Sequence, residues 1–476
     1  MSRVLTTGDR GSQPRSAPAT RTGYERSFLW ELPFWCSLLF WSLYPSLRTP
    51  WVDIASIPIS SKELLALALA GFYMLHALSF AAVNHRFISD HPAPGMFSES
   101  WHCHLPVLTI GIVGYAALSA TWSGMSARDR DAMLYTLIST AGSVVLGYLL
   151  IANRSSASVH SFLWRLTLYL AGLGLLYSAE SFLSLGLRSE LGKELDLGDF
   201  GIQRVRGPLF ASSTGFFILL PATAFAVQQL LRRRAQRLLS WVLVLALIIA
   251  LIGLGSRAGL LLVGLYLLLL MFVKGKQKDG VISLLIPAML LAAVLVFSAA
   301  ETSRLQDFTE QARADTHRTS WQIIINRSLV TNSLGSGLGS YWPWYLPEVE
   351  FGTELYDLGL YTNLVSNPFG ALLYHPHSTF LLLAVEMGVL GLLYFIALWA
   401  ILLRVLWRSL CGGPSALFGI GVVVSGFSMF FDFFLFRTPQ LNALWWSFLF
   451  GALALTTKPR TVEQRERLAS RSSPRA

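Results

Sequence analysis

LLSWVLVLALIIALIGLGSRAGLLLVGLYLLLLMFV, residues 238–273, is a run of 36 residues carrying a single charge, Arg257. As one α-helix it would extend about 54 Å, whereas the hydrocarbon core of a bilayer is about 30 Å thick. The run therefore folds back. Its flanks are RRRAQR at 232–237 and KGKQK at 274–278, and basic clusters of this kind stay on the cytoplasmic side of a membrane. Both ends are thus inside and the fold-back faces outside. Its tip, Gly255-Ser256-Arg257-Ala258-Gly259, places an arginine at the outer surface between two closely packed helices.

The rest of the chain has the same character. Of 476 residues, 53% are hydrophobic, 13% aromatic and 13% charged, with a mean hydropathy of +0.53. A soluble globular chain is about a quarter charged, so the balance points to a bilayer. The formal charge of +10 would suit nucleic acid, but the basic residues lie in short clusters between apolar runs. That pattern is topology control, and no nucleic-acid partner is expected. Cys36, Cys103 and Cys411 are too scattered for a disulfide framework.

Segments long enough to cross the core, at about 20 residues each, fall at 28–47, 62–83, 105–122, 132–152, 162–187, 208–231, 238–255, 257–273, 281–300, 378–403, 415–436 and 440–456. The expected fold class is an all-α polytopic membrane protein of about 12 transmembrane helices, with one large outer loop between the ninth and tenth. Glu31, Arg165 and Glu180 are charges inside the first and fifth spans. The tail carrying Arg3, Arg10, Arg15, Arg21 and Arg26 starts the alternation in the cytoplasm. The clusters at 232–237, 274–278 and 404–408 (RVLWR), and the C-terminal tail, then all fall inside. The organisation is a disordered cytoplasmic tail (1–27), nine spans (28–300), the outer loop (301–376), three spans (377–456) and a second cytoplasmic tail (457–476). Within the loop, Trp321, Ile324, Ile325, Ser328 and Leu329 recur at helical spacing and predict an amphipathic helix.

Ionisable residues within or bordering spans are costly and mark functional candidates. Here they gather at outer ends: Glu180, Arg206, Arg257, His375, His377, Asp432 and Arg437. Several arginines with a histidine suit an anionic substrate, because the guanidinium fork holds phosphate oxygens and histidine accepts a proton near neutral pH. Blander readings stand beside these. Arg257 anchors a turn, Arg318 lies on the polar face of the amphipathic helix, His377 caps the tenth span, and Asp432 pairs with Arg437. GSGLG at 335–339 reads as a flexible turn, since no strand leads into it and no helix follows. His102-Cys103-His104 matches no common zinc spacing, and no metal site is expected.

In order along the chain come GSRAGLL (255–261), RTSWQ (318–322), GSGLGSY (335–341) and HSTFLLLAVEMGVLG (377–391). This succession resembles the C-terminal signature of the O-antigen ligase and polymerase family, whose relatives include pilin glycosylases. RVRGPLFASST (204–214) resembles that family's segment preceding an earlier span. One departure is Ser378, where the family pattern has Asn after the histidine.

The resemblance implies an inverting glycosyltransferase, independent of metal and cofactor, in the bacterial inner membrane with its site facing the periplasm. Its donor would be an undecaprenyl-pyrophosphate-linked oligosaccharide. By this resemblance Arg257 and Arg318 bind the pyrophosphate, His377 orients or deprotonates the acceptor hydroxyl, and Arg206 is a further phosphate ligand. His375, Asp432 and Arg437 join the substrate-binding set. Whether His375 or His377 does the work, and whether Arg313 or Arg318 faces the site, stays open. The acceptor is another lipid-linked repeat unit in a polymerase of O-antigen or exopolysaccharide, lipid A–core in a ligase, or a protein. Membrane lipids surround the chain, and a chain-length regulator is a further partner the family admits. A lipid-linked sugar flippase is the rival from another class; it would carry its charges near the midplane in two related halves.

Overall fold

A computed structural model describes residues 28–43, 51–54, 57–84, 101–119, 121–122, 127–152, 154–183, 209, 212–232, 237–254, 256–273, 333–335, 337, 366–367, 370–371, 378–412, 415–430 and 439–456. Twelve α-helices lie among them: α1 (Phe28–Leu43), α2 (Ser61–Asn84), α3 (Trp101–Ser119), α4 (Ala127–Ile151), α5 (Ser156–Leu183), α6 (Ser212–Arg232), α7 (Arg237–Gly253), α8 (Arg257–Leu270), α9 (Thr379–Glu386), α10 (Gly388–Leu410), α11 (Ala416–Gly426) and α12 (Pro439–Thr456). A 3-10 turn, Phe427–Phe430, ends α11. Three helical segments are long and apolar enough to cross a membrane: Ser156–Ala179, Gly215–Arg232 and Gly388–Leu410. Shorter apolar helices accompany them, including Leu64–His76, His104–Ser119 and Arg237–Gly253.

The elements follow the expected spans with three differences. The tenth span is two helices, because α9 stops at Glu386 and α10 restarts at Gly388. The eleventh tightens into the 3-10 turn before its expected end. Two antiparallel pairs also interrupt the helices: β1 (Trp51–Ile54) with β2 (Ile57–Ser60), and β3 (Ser366–Asn367) with β4 (Gly370–Ala371). The ninth span, the amphipathic helix and both tails lie outside the described residues.

The fold-back at 238–273 is present, but its arms do not pack closely on each other. α7 lies on α5 and α6, while α8 lies mainly on α11. α6 is central, touching α5, α7, α8, α11 and α12, and α4 is held by α2, α3 and α12. Apolar burial cannot drive helices together in lipid, so close backbone approach through small residues does more of the work. At Gly147 of α4, an added Cβ would stand 2.6 Å from Cβ of Trp446 in α12. Buried hydroxyls bond their own helix, as Ser143 Oγ does to Ser139 O at 2.7 Å and Thr223 Oγ1 to Leu219 O at 2.7 Å. Leucine, valine and tryptophan instead face outward from α7 and α10, among them Leu238, Trp241, Leu245, Leu393 and Trp407, as a lipid-facing surface requires.

Cross-helix contacts fix which ends share a side. Tyr177 near the end of α5 donates to the Ser42 carbonyl near the end of α1. Phe217, early in α6, stacks on Trp445 of α12 at 4.7 Å, and Trp445 Nε1 donates to Ser425 Oγ of α11 at 3.1 Å. At the other end Gln228 of α6 accepts from the Phe418 amide of α11 at 3.1 Å, and Ser415 Oγ donates to the Leu455 carbonyl at 3.3 Å.

Glu31 of the first span and Arg165 of the fifth account for one another at this second end; the Glu180 side chain lies outside the described residues. Glu31 accepts from Arg154 Nη1 at 2.6 Å, from Arg165 Nη2 at 2.7 and 2.8 Å, and from Trp35 Nε1 at 2.9 Å. Arg154 follows α4, and its guanidinium lies 5.3 Å from the Trp30 ring and 4.9 Å from Phe162. One carboxylate thus fastens α1 to α5 and to the turn before it. Removing it leaves two cations in an apolar setting, so Glu31→Ala is expected to cost about 3–5 kcal/mol in denaturant unfolding of the purified protein. Arg165→Ala should cost less, because its side chain is 37% exposed against 1% for Glu31.

Candidate active site

Among the described helices, α2, α4, α6, α8, α9 and α12 begin at the first end of the bundle. α8 starts at Arg257, and its N-cap is Ser256, extended at φ −110°, whose Oγ accepts from the Gly259 amide at 3.3 Å. The helix sits tight on α6, since a Cβ at Gly259 would run into the Phe216 ring. α9 starts at Thr379 under the N-cap Ser378, whose Oγ accepts from the Leu381 amide at 3.3 Å. Phe380 of α9 packs on Phe395 of α10 and on Phe430, with ring centres 5.3 and 6.0 Å apart. The 3-10 turn touches α6, α8 and α9 together. It therefore joins the helix that opens with Arg257 to the helix that opens just after His377.

Several of these helix starts face the region beside the 3-10 turn. A helix N-terminus carries unpaired amides and the positive pole of its dipole, so it favours an anion. α6, α8, α9 and α12 all begin here. Beside them Tyr177 pins the segment leading into α6: it accepts from the Leu209 amide at 3.2 Å while donating to Ser42. Leu209 is three residues past Arg206.

The glycine-rich turn is not the loose connection expected. Gly337 N donates to the Glu386 carbonyl at 2.9 Å, Val389 N donates to the Ser333 carbonyl at 2.9 Å, and Tyr115 of α3 donates to the Leu334 carbonyl. The turn is pinned to the gap between α9 and α10.

Arg206, Arg318, His375, His377, Asp432 and Arg437, with Arg313, lie outside the described residues, and of Arg257 only the backbone is described. What the structure brings together is the set of elements adjoining them: the starts of α6, α8 and α9 and the turn before Asp432. Tyr115 and Tyr177 had no sequence signal, because each acts through a hydroxyl on a backbone atom distant in the chain. Among the described residues no three His, Cys, Asp or Glu side chains are grouped to hold a metal ion.

The described residues form a helical bundle in which the starts of α6, α8 and α9 meet the same 3-10 turn. Residues 241–396, from α7 into the first turns of α10, match the family model described as O-antigen ligase, as the motif order suggested. The matched segment contains Arg257, Arg318 and His377; Arg206, Asp432 and Arg437 stand outside it. No curated protein matches the chain. The Ser378 departure now has a physical reading, since Ser and Asn are comparable N-caps and Ser378 caps α9.

The contact of Gly259 with Phe216 sets where α8 begins. Gly259→Ala is expected to cost about 1–3 kcal/mol through overpacking, and Phe216→Leu in the same chain should recover part of it. Melting curves of the two variants in detergent check both.

Proposed function

We propose that the protein transfers an undecaprenyl-pyrophosphate-linked glycan at the periplasmic face of the bacterial inner membrane, polymerising O-antigen or exopolysaccharide repeat units. One observation carries the reading. The segment matching the O-antigen ligase family opens α8 with Arg257 and leads into α9 from His377, and those two helices meet the same 3-10 turn.

In the reaction an acceptor hydroxyl attacks the anomeric carbon from the face opposite the pyrophosphate. His377 takes the hydroxyl proton as the new C–O bond forms. The old C–O bond breaks, and its electron pair leaves on the pyrophosphate oxygen. Arg257 and Arg318 hold that growing charge, with the α8 N-terminus behind them. Arg206, His375, Asp432 and Arg437 line the substrate path. The protein has both tails in the cytoplasm and the 301–376 loop in the periplasm, and the grouping of helix ends described above supports that alternation.

The description of the matched family favours a second reading, a ligase that delivers the finished glycan to lipid A–core or to a protein by the same chemistry. A flippase would need a charged path continuing inward. The ionic cluster nearest the opposite end is instead closed on itself around Glu31.

Product analysis tests the proposal, using a deletion strain complemented with wild type, Arg257→Ala or His377→Ala at equal membrane levels. Turnover is expected to fall at least about 100-fold in either variant. Single repeat units on lipid or core identify a polymerase, whereas long glycan stranded on undecaprenyl pyrophosphate identifies a ligase. Unchanged glycan in both variants would remove Arg257 and His377 from the mechanism.

A further inference from the structure

We propose that the Ser333–Gly337 turn is a joint that holds α9, and with it His377, in working position, and that Tyr115 is its latch. The role of His377 rests on the proposed function; the joint itself does not. α9 has eight residues, short of the roughly 12–15 at which an isolated helix becomes even marginally stable in water. The break at Met387 also frees it from the direction of α10. Its orientation must therefore be imposed from outside.

A helix break leaves the last carbonyls of one helix and the first amides of the next without partners. Here a single turn, about 50 residues earlier in the chain, serves both sides. Gly337 N–H donates to the final carbonyl of α9, at Glu386, and the Ser333 carbonyl accepts from Val389 N–H in the first turn of α10, each at 2.9 Å. The two backbones approach this closely because neither has a side chain at the contact. Gly335 has φ +79° and Gly388 φ +58°, the left-handed region that glycine enters without steric cost. A Cβ on Gly335 would strike the Glu386 carbonyl oxygen, and a Cβ on Gly388 the Ser333 oxygen. Both obstacles are backbone, which has no rotamer to yield.

Tyr115 closes the joint from α3. Its hydroxyl donates to the Leu334 carbonyl, beside Gly335. Thr109, six residues earlier on the same helix, shares a 3.1 Å hydrogen bond with Tyr394 of α10. α3, the turn, α9 and α10 are thus tied by four hydrogen bonds, and the end of α9 cannot move off the turn without breaking the one at Glu386. Gly335, Gly388 and Tyr115 are positioning residues on this account. A displacement of about 1 Å at a reacting group can lower turnover about 100-fold, so a loosened joint should appear in kcat.

The experiment uses the full chain in nanodiscs as wild type, Tyr115→Phe, Gly335→Ala and Gly388→Ala. Hydrogen exchange is followed in peptides covering 333–337 and 386–389, with melting temperature alongside. Turnover is measured with undecaprenyl-pyrophosphate-linked oligosaccharide extracted from the deletion strain. Exchange should quicken in both peptides together, with melting of Tyr115→Phe shifted by less than about 3 °C. kcat should fall about 10–100-fold in the glycine variants and less in Tyr115→Phe, with KM for the donor within about threefold of wild type. Unchanged exchange in all three variants overturns the joint, and quickened exchange with wild-type kcat overturns its positioning role. If the glycine variants fail to fold, Tyr115→Phe decides alone, since it removes one oxygen and introduces no clash. A wild type inactive on the donor but with the expected exchange would instead fault the proposed function and leave the joint standing.

Discussion

A backbone amide or carbonyl stranded away from water must find a partner in protein, and in an apolar bundle the partner cannot be solvent. Most of this chain meets the requirement by remaining helical. Where it does not, between Glu386 and Gly388, the missing hydrogen bonds come from a turn far away in sequence. The rest of the proposed site depends on that exchange. It allows a short helix to take its own direction, and it brings residues 333–337 onto the helices. The glycines at the crossing are there because two backbones meet with nothing between them.

The bundle has a different chemistry at each end. At one, a carboxylate is saturated by two guanidiniums and an indole, a closed arrangement whose function is to hold α1, α5 and the turn before α5. At the other, the starts of α6, α8 and α9 meet around the 3-10 turn, and residues of the proposed site adjoin those starts in sequence. On the proposed reading the two ends divide the work, one holding the bundle together and the other meeting the substrate.

Much of this was legible from residue order alone. The impossible length of 238–273 required a fold-back, and α7 and α8 provide it as two separate helices. Span positions followed from apolar runs, and eleven of the twelve have described helices at their places. The break in the tenth span was hidden because apolar residues run on both sides of it, FLLLAV before and VLGLL after, and Gly388 alone does not announce a positive φ. The pairing of β1 with β2 was missed because WVDI and IPIS are too short to stand out beside long helices. Glu31 and Arg165 were visible as misplaced charges, but their partnership required knowing that α1 lies on α5. Arg154 was not singled out at all. The separate neighbours of α7 and α8 were illegible for a similar reason: lipid and protein both welcome leucine, so an apolar helix does not say which helix it prefers.

Those separate neighbours bear on how the protein is made. α8 ends at Leu270 and its main support, α11, begins at Ala416, so 416 minus 270, or 146 residues, must be synthesised before they can meet. At about 5–20 residues per second this takes roughly 7–30 s. α4 and α12 pose the same problem over a longer interval, from Ile151 to Pro439. During that time α8 and α4 sit in lipid or in the insertion machinery with faces meant for helices not yet translated. Assembly of these contacts is therefore late, and a ribosome pause after α8 would leave α8 seated only on α6 and α4 without α12.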